Sequence, residues 1–309
     1  MKFSRRLSAL LLLGVLSMSV LPGCSSSAAV PSDSPAPTPA ASAAPTPEPT
    51  PEPTSTPTPT PAPEPTLEPY DYTQPAPETA EVGEEWFQDA VFIGDSRTDG
   101  LRLYSGIKGV DFICYKGLTA FEFDNKKCIS SGEGKITALE ALQAKPYAKV
   151  YVMLGLNELG YSVDAFAEGY AALMDAVREA QPDAVLYFQS VVPINPQKAK
   201  EKNQPSYITN EKVAAFNAEI SRLCEEKQAV YLNVAEALTD ENGELPYDKA
   251  PDGIHFTKDW YAQWYAYLKT HTVDPDTLEV PAHEEDPVPS QAPAAPAASA
   301  ESVALSLRG

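Results

Sequence analysis

Cysteine and histidine are scarce in this sequence. Its 309 residues include four cysteines and three histidines. No two cysteines have the CxxC spacing, so neither a disulfide scaffold nor a zinc site is expected. Cys114, Cys128 and Cys224 can form at most one bridge, and three buried thiols are the simplest interpretation. A catalytic histidine, if the protein uses one, must be one of only three residues.

Positive charge is scarce as well. The chain has 23 Lys and Arg residues against 43 Asp and Glu residues, and its formal net charge is −20 at pH 7. Part of this charge belongs to low-complexity segments near the two ends, and the central region is mildly acidic. Such a surface repels phosphate groups, so neither nucleic acid nor anionic lipid headgroups are expected partners.

The first 23 residues contain no acid and have the pattern of an export signal. Basic residues precede an apolar run at residues 7–21, which is short for a membrane-spanning helix. The run leads to Leu-Pro-Gly-Cys, which resembles a bacterial lipobox. This resemblance implies a signal peptide at 1–23, cleavage before Cys24 and lipidation of its thiol. An uncleaved N-terminal anchor is the alternative, and both interpretations predict an extracytoplasmic protein anchored to the cell membrane.

Two segments have too few large apolar residues to form a core. Residues 24–83 consist mainly of Pro, Thr, Ala, Ser and Glu, and residues 273–309 are again rich in Pro, Ala and Glu. Such compositions predict an extended, disordered linker and a disordered acidic tail. One folded domain remains, at residues 84–272.

Within this domain, apolar runs alternate with stretches of helical spacing. The predicted strands are 89–93, 110–115, 148–155, 184–192 and 229–234. The predicted helices are 136–144, 162–182, 208–227 and a last one from 257. Continuous apolar strands separated by amphipathic helices indicate parallel strands that are covered on both faces. We therefore predict a three-layer α/β/α sandwich with a flavodoxin-like, five-stranded parallel sheet.

Ligands of such sheets bind beyond the carboxyl ends of the strands. Gly94-Asp95-Ser96 follows the first strand, where a serine on a tight turn can project its hydroxyl over the sheet edge. Alternatively, Asp95 or Ser96 only caps the next helix. Gly117 and Asn157 follow the second and third strands and can donate N–H groups to an oxyanion. A turn glycine and a helix-capping asparagine are the simpler interpretations.

His255 is the only histidine near a predicted strand end, since His271 ends the last helix and His283 lies in the tail. Asp252, three residues earlier on a glycine-containing turn, can hydrogen-bond one imidazole nitrogen and leave the other free. A structural turn and half of a metal site are the alternatives. No second histidine or carboxylate cluster supports the metal, so we expect no metal and no cofactor.

These residues, in this order, resemble the SGNH (GDSL-type) hydrolase family over most of residues 88–265. The resemblance implies that Ser96 is the nucleophile of a triad with His255 and Asp252. It also implies an oxyanion hole formed by the backbone N–H groups of Ser96 and Gly117 and by the Asn157 side chain. Other glycines at 109 and 132 leave the choice of Gly117 open.

Two positions depart from the family pattern. Arg97 follows the serine in place of leucine, and the third block reads GLNE in place of GxND. Arg97 either binds a substrate carboxylate or phosphate, or pairs with a nearby acid such as Asp99 or Glu158. A further loop, residues 193–207, carries three lysines that are either solvated or in contact with an anionic glycan.

Site and location together predict a surface-anchored serine esterase. An exported esterase on a long linker meets glycans, so the expected substrates are short-chain acyl esters, above all O-acetyl esters, of carbohydrates. A lysophospholipase, a thioesterase or an acyltransferase is the alternative within the same fold. A non-catalytic glycan-binding module is the alternative of another class. The expected partner is an acylated small molecule or polysaccharide, and the chain is expected to be a monomer.

Overall fold

The structure is a computed structural model that describes residues 67–278. The predicted signal peptide, Cys24, most of the predicted linker and the tail from residue 279 lie outside the described residues. The strands are β1 (Ala90–Gly94), β2 (Asp111–Cys114), β3 (Ile129–Ser131), β4 (Gly134–Ile136), β5 (Lys149–Met153), β6 (Val185–Gln189) and β7 (Val230–Leu232). The α-helices are α1 (Ser96–Tyr104), α2 (Ala138–Leu142), α3 (Val163–Ala180), α4 (Pro196–Glu201), α5 (Asn210–Glu226), α6 (Ala235–Leu238) and α7 (Lys258–Thr270).

Five strands form one parallel sheet in the order β2-β1-β5-β6-β7. Counted along the chain, this is the 2-1-3-4-5 order of flavodoxin-like sheets, in which ligands bind where the strand order reverses. Here that position is the carboxyl end of β1 and β5. The predicted fold class is therefore confirmed, and the sheet brings the residues after β1 and β5 to the same edge.

The sheet has a separate apolar core on each face. Val91 and Ile93 of β1 belong to the core on the face covered by α3 and α5. Phe92 belongs to the core on the opposite face, with the aromatic residues of α7. Phe92, Tyr151 and Tyr187 stack across three neighbouring strands, with ring centroids 4.7 and 4.5 Å apart. Because both faces are covered, each strand is a continuous apolar run rather than an alternating one.

The turn after β1 requires glycine at position 94. A Cβ atom there would lie 2.0 Å from Thr98 Oγ1 and 2.6 Å from the Met153 carbonyl oxygen. The chain then turns directly into α1, whose N-cap is Asp95. The predicted tight strand-to-helix turn is confirmed, and the helix begins at Ser96 itself.

Two strands and two short helices were not predicted. The hairpin of β3 and β4 is a separate antiparallel pair, and α6 is a single turn after β7. Helix α4 lies within the predicted loop 193–207, where Pro196 starts the helix and the Asn195 side chain caps it. Within residues 67–278, no helix is long and apolar enough to cross a membrane.

The folded region extends beyond both predicted domain boundaries. Residues 67–82, predicted as part of the linker, lie against β7, the end of α7 and the segment after it. Backbone N–H groups of this segment donate to carbonyl groups of the domain at 2.6–2.9 Å, and Ala76 is only 3% exposed. The pairs are Tyr70–Thr277, Ala76–Tyr231, Thr79–Thr270 and Val82–Lys269. The proline-rich composition predicted a linker and not this packed segment. The residues that donate backbone N–H groups to the domain are not prolines, so the prolines do not prevent the contact.

We expect a chain that begins at Glu84 to be less stable than one that begins at Leu67. The shorter chain loses four backbone hydrogen bonds, each worth about 1 kcal/mol net, and regains the chain entropy of the ordered segment. Its free energy of unfolding, measured by urea denaturation, should be lower by on the order of 2 kcal/mol. Equal stability of the two chains would show that residues 67–83 are only a linker.

Candidate active site

Three side chains from two distant parts of the chain form a continuous hydrogen-bonded row. Ser96 Oγ lies 2.8 Å from His255 Nε2, and His255 Nδ1 lies 2.7 Å from Asp252 Oδ2. Ser96 is the first residue of α1, whereas Asp252 and His255 lie on the turn before α7. The imidazole can accept the serine proton at Nε2 while the carboxylate holds the opposite nitrogen.

The environment of Asp252 keeps its carboxylate ionised. Burial favours a higher pKa, but hydrogen bonds from the His255 ring and from the backbone N–H groups of His255 and Ile254 outweigh it and lower the pKa of Asp252 below its usual range. The carboxylate therefore stays charged at neutral pH, as a group that stabilises an imidazolium must.

The turn that carries Asp252 and His255 is anchored on both sides. Gly253 has a φ of +91°, and a Cβ atom there would lie 2.3 Å from the Ala199 backbone nitrogen. The Gly253 carbonyl accepts the Asn195 N–H at 2.9 Å, and the Asp252 carbonyl accepts the Gln204 side-chain N–H at 3.2 Å. Contacts with α4 and the loop after it thus fix the position of the imidazole.

Arg97 lies in the interior and does not face the site opening. It is 1% exposed, and its guanidinium donates to the Ile254 carbonyl at 3.1 and 2.8 Å and to the Val192 carbonyl at 2.6 Å. Its Cζ atom also lies 4.8 Å from the centre of the Phe256 ring. Burial lowers the pKa of Arg97 to about 10, and the charge of Asp95 opposes that shift.

Both predictions for Arg97 are therefore corrected. A substrate group cannot reach a guanidinium whose donors are directed at buried carbonyls. The acids named as its partners bond elsewhere, since Asp99 pairs with Arg102 at 2.7 Å and Glu158 accepts a backbone N–H. Arg97 instead ties α1 to the residue immediately before His255.

Asp95 connects the serine turn to the end of β5. Its Oδ1 accepts the Arg97 N–H at 2.8 Å, and its Oδ2 accepts the Asn157 amide at 2.8 Å. The carboxyl group is buried, and burial raises its pKa, while the hydrogen bond and charge of Arg97 act in the opposite direction. Asp95 thereby fixes the orientation of the Asn157 amide.

The predicted oxyanion donors lie on this same edge. Asn157 is exposed, and its amide also donates to the Leu118 carbonyl at 3.2 Å, which lies next to Gly117 in sequence. Gly117 has a φ of +80° and is exposed, and its N–H has no acceptor within residues 67–278. Ser96 starts α1, so its N–H has no partner in the helix.

Glu158 is a buried acid directly behind this edge. It is 0% exposed, and its Oε1 accepts the Ala120 N–H at 2.7 Å. Burial raises the pKa of Glu158 to about 8, with a smaller contribution from Asp95 in the same direction and an opposing one from the Ala120 hydrogen bond. The side chain is therefore largely a neutral acid at pH 7.

The cysteines offer no competing nucleophile. Cys114, Cys128 and Cys224 are all free thiols, in agreement with the simplest interpretation of their number. Burial raises the pKa of Cys114 to about 11 and also raises that of the other two. Since the thiolate is the reactive form, none of them is activated at neutral pH. Within the described part of the chain, no group of three or more His, Cys, Asp or Glu residues could hold a metal ion.

The structure brings five of the predicted site residues to one edge of the sheet and separates Arg97 from them. The N-cap role of Asp95 was one of the predicted alternatives and is observed, but its bond to Asn157 and the role of Glu158 were not predicted. Each is the direct neighbour of a predicted site residue, Ser96 or Asn157. Adjacent acids at an otherwise apolar strand end were the available signal, because a buried carboxyl group must find hydrogen-bond partners.

Comparisons with solved structures found several similar chains. A candidate platelet activating factor from Streptococcus pneumoniae is 24% identical, with 59% of this chain and 82% of that chain covered and a TM-score of 0.47. A GDSL-like lipase from Bacteroides thetaiotaomicron is 16% identical, with 62% and 88% covered and a TM-score of 0.43. Est24, a carbohydrate acetylesterase from Sinorhizobium meliloti, is 14% identical, with 58% and 96% covered and a TM-score of 0.43.

No curated protein sequence matches this chain. The model of the GDSL-like lipase/acylhydrolase family matches residues 92–263, which is more than half of the chain. This span runs from β1 into α7 and contains Ser96, Asn157, Asp252 and His255. The chain therefore belongs to the GDSL-like lipase/acylhydrolase family and is an ester-hydrolysing enzyme.

Proposed function

We propose that this enzyme hydrolyses short-chain acyl esters of carbohydrates, O-acetyl esters above all, through a Ser96–His255–Asp252 triad. The observation that carries the proposal is the unbroken row of hydrogen bonds from Ser96 Oγ to Asp252, at 2.8 and 2.7 Å. In the first step, His255 Nε2 takes the Ser96 proton as Oγ attacks the ester carbonyl carbon. The imidazolium then protonates the departing alcohol, which leaves an acyl-serine.

Water completes the reaction in a second step of the same kind. His255 takes a proton from water, the resulting hydroxide attacks the acyl carbon, and Ser96 leaves with the proton that the imidazolium returns. In both steps the carbonyl oxygen becomes an anion. The backbone N–H groups of Ser96 and Gly117 and the Asn157 amide are the proposed donors to it. The exposed Gly117 N–H supports this assignment. The Asn157 amide, which Asp95 orients, would give the oxyanion the N–H that donates to the Leu118 carbonyl at 3.2 Å in the free enzyme.

A cavity near the catalytic turn, lined by both apolar and polar residues and by no member of the triad, supports a carbohydrate as the alcohol. A cavity of about 660 Å³ lies between α4 and the start of α5, within the size range of about 300–1,000 Å³ typical of ligand sites. Its lining includes the polar side chains of Lys200, Asn203, Gln204, Ser206, Glu211 and Glu244. Gln204 also contacts the Asp252 carbonyl, so the cavity shares a wall with the catalytic turn. Closely spaced donors and acceptors suit the hydroxyl groups of a sugar.

Two exposed tyrosines near Gly160, in the segment that follows Asn157, support the same choice. Tyr161 and Tyr207 are each 51% exposed, and a Cβ atom built on Gly160 would lie 3.7 Å from the Tyr207 ring. Tyr161 packs on Phe121 with ring centroids 4.7 Å apart. A pyranose ring presents C–H groups to an aromatic face while its hydroxyl groups bond to polar neighbours. The exposed large apolar side chains of residues 67–278 are five tyrosines and two leucines, which disfavours a long acyl chain.

A lipid anchor would place this activity at the cell surface. The lipobox-like sequence before Cys24 supports such an anchor, which would hold the esterase at the outer side of the cell membrane beside cell-wall or external glycans.

A glycan-binding module without activity is the less favoured function. Such a module would not need an ordered Ser–His–Asp row with an ionised aspartate. The geometry of the three side chains therefore favours the enzyme.

We expect Ser96→Ala to reduce kcat for p-nitrophenyl acetate by about 10⁴-fold or more, because the acyl-serine cannot form. Asp252→Asn should reduce kcat by about 10⁴-fold, because the imidazole loses its charged partner and correct tautomer. Ser130→Ala, on the exposed strand β3, and Asp248→Asn are matched controls that should retain wild-type rates. If Ser96→Ala kept wild-type activity, the serine esterase mechanism would be wrong.

We expect Tyr161→Ala and Tyr207→Ala to impair hydrolysis of acetylated polysaccharide more than hydrolysis of p-nitrophenyl acetate. Loss of one ring contact corresponds to a factor of about 3–10 in the ratio of the two kcat/KM values. Acetate release and p-nitrophenol release measure the two rates. Tyr104→Ala is the matched control, since Tyr104 is exposed and packs on Tyr261 with centroids 5.7 Å apart. An unchanged ratio in both variants would argue against a sugar at this position.

A further inference from the structure

Two adjacent residues at the end of β5 hold the segment that follows β2. Asn157 donates to the Leu118 carbonyl at 3.2 Å, and Glu158 accepts the Ala120 N–H at 2.7 Å. Gly117, whose N–H is a proposed oxyanion donor, immediately precedes this pair of contacts. Gly117 adopts its φ of +80° freely, in a turn that the Leu118 N–H closes on the Tyr115 carbonyl at 2.9 Å. The position of the Gly117 N–H thus depends on how residues 118–120 are fixed.

The Glu158 side chain is a buried acid that is neither exposed to solvent nor fully hydrogen-bonded. It is 0% exposed, and within residues 67–278 it forms no salt bridge and its Oε2 has no hydrogen-bond partner. Burial without a counter-ion favours the neutral form of a carboxyl group. Apart from backbone N–H groups of its own loop, the hydrogen-bond donor that its side chain meets in the described residues is the Ala120 N–H.

We propose that Glu158 is a positioning residue of the oxyanion hole, which accepts the Ala120 N–H, fixes residues 118–120 and thereby aligns the Gly117 N–H with the Asn157 amide. This inference rests on the proposed serine esterase mechanism. Glu158 does not touch the reacting atoms, and it acts only through the backbone of the segment that it holds.

The charge state of Glu158 matters because another acid shares its surroundings. The titratable groups that face it are Asp95, on the turn after β1, and Tyr170, on α3. An ionised Glu158 would place a second negative charge beside Asp95, which orients Asn157, and behind the developing oxyanion. Burial raises the pKa of Glu158 to about 8, so activity should fall as pH rises through that value.

The first test compares kcat for p-nitrophenyl acetate from pH 6 to 10 in the wild type and in Glu158→Gln. The amide in this variant would keep an oxygen for the Ala120 N–H but cannot ionise. The wild-type kcat should therefore fall about tenfold per pH unit above pH 8, and Glu158→Gln should lack this fall. Superimposable pH profiles would overturn the proposal.

The second test removes the donor and leaves Glu158 in place. Ala120→Pro deletes only the N–H at the first position of a short helix, where proline is tolerated, and the extended backbone of Thr119 permits a following proline. We expect kcat to fall at least tenfold while KM changes little, because substrate binding is not the step affected. A wild-type kcat in this variant would contradict the proposed positioning role.

The third test does not depend on activity. Because the folded state keeps the Glu158 proton up to about pH 8, whereas the ordinary pKa is 4.5, the folded wild type binds more protons between these values and loses stability as pH rises. Glu158→Gln has no such proton to lose. Its Tm should therefore rise relative to that of the wild type from pH 5 to pH 8 and then level off. A constant difference in Tm would overturn the assignment of a buried neutral acid.

Asn157→Ala separates a failure of this inference from a failure of the mechanism. Removing one oxyanion donor should lower kcat by about 10²–10³-fold at every pH. If Asn157→Ala were harmless, the proposed oxyanion hole would be wrong. If Asn157→Ala were harmful but Glu158→Gln and Ala120→Pro matched the wild type, only the positioning role of Glu158 would be wrong.

Discussion

The hydrogen bonds of three consecutive residues, Asp95, Ser96 and Arg97, hold the catalytic edge of this protein together. Asp95 accepts the Asn157 amide, Ser96 contacts His255, and Arg97 donates to the carbonyls of Ile254 and Val192. Segments that are far apart in sequence thus meet at one tight turn after β1. The turn exists because glycine at position 94 allows the chain to pass beside β5.

This arrangement buries the Arg97 guanidinium and the Asp95 carboxyl group, which is unfavourable unless each is well bonded. The Arg97 guanidinium satisfies three donors on two carbonyls, and Asp95 accepts a backbone and a side-chain N–H. These hydrogen bonds compensate for the desolvation of Arg97 and Asp95. They also hold the segments that carry His255 and Asn157 in place. Glu158 likewise holds a neighbouring segment through the Ala120 N–H. Its neutral form avoids burying another negative charge.

Much of this was predictable from the sequence, for identifiable reasons. Apolar runs and helical spacing recur with the correct periods, so the layers and strand order followed, and the Asp252-x-x-His255 spacing fits one turn. The role of Arg97 was not predictable, because a charged residue beside a catalytic serine is normally expected to face solvent. The protonated state of Glu158 and the packing of residues 67–82 depend on tertiary contacts that no local pattern encodes.

Identification of the acylated residue tests whether Ser96 is the nucleophile. Acid quenching during turnover of p-nitrophenyl acetate, followed by peptide mass spectrometry, detects a covalent acyl-enzyme. We expect an acetyl group on Ser96 that is absent from Ser96→Ala and strongly reduced in His255→Ala. An acetyl group on another residue during productive turnover, or turnover that survives the loss of Ser96, would contradict this expectation.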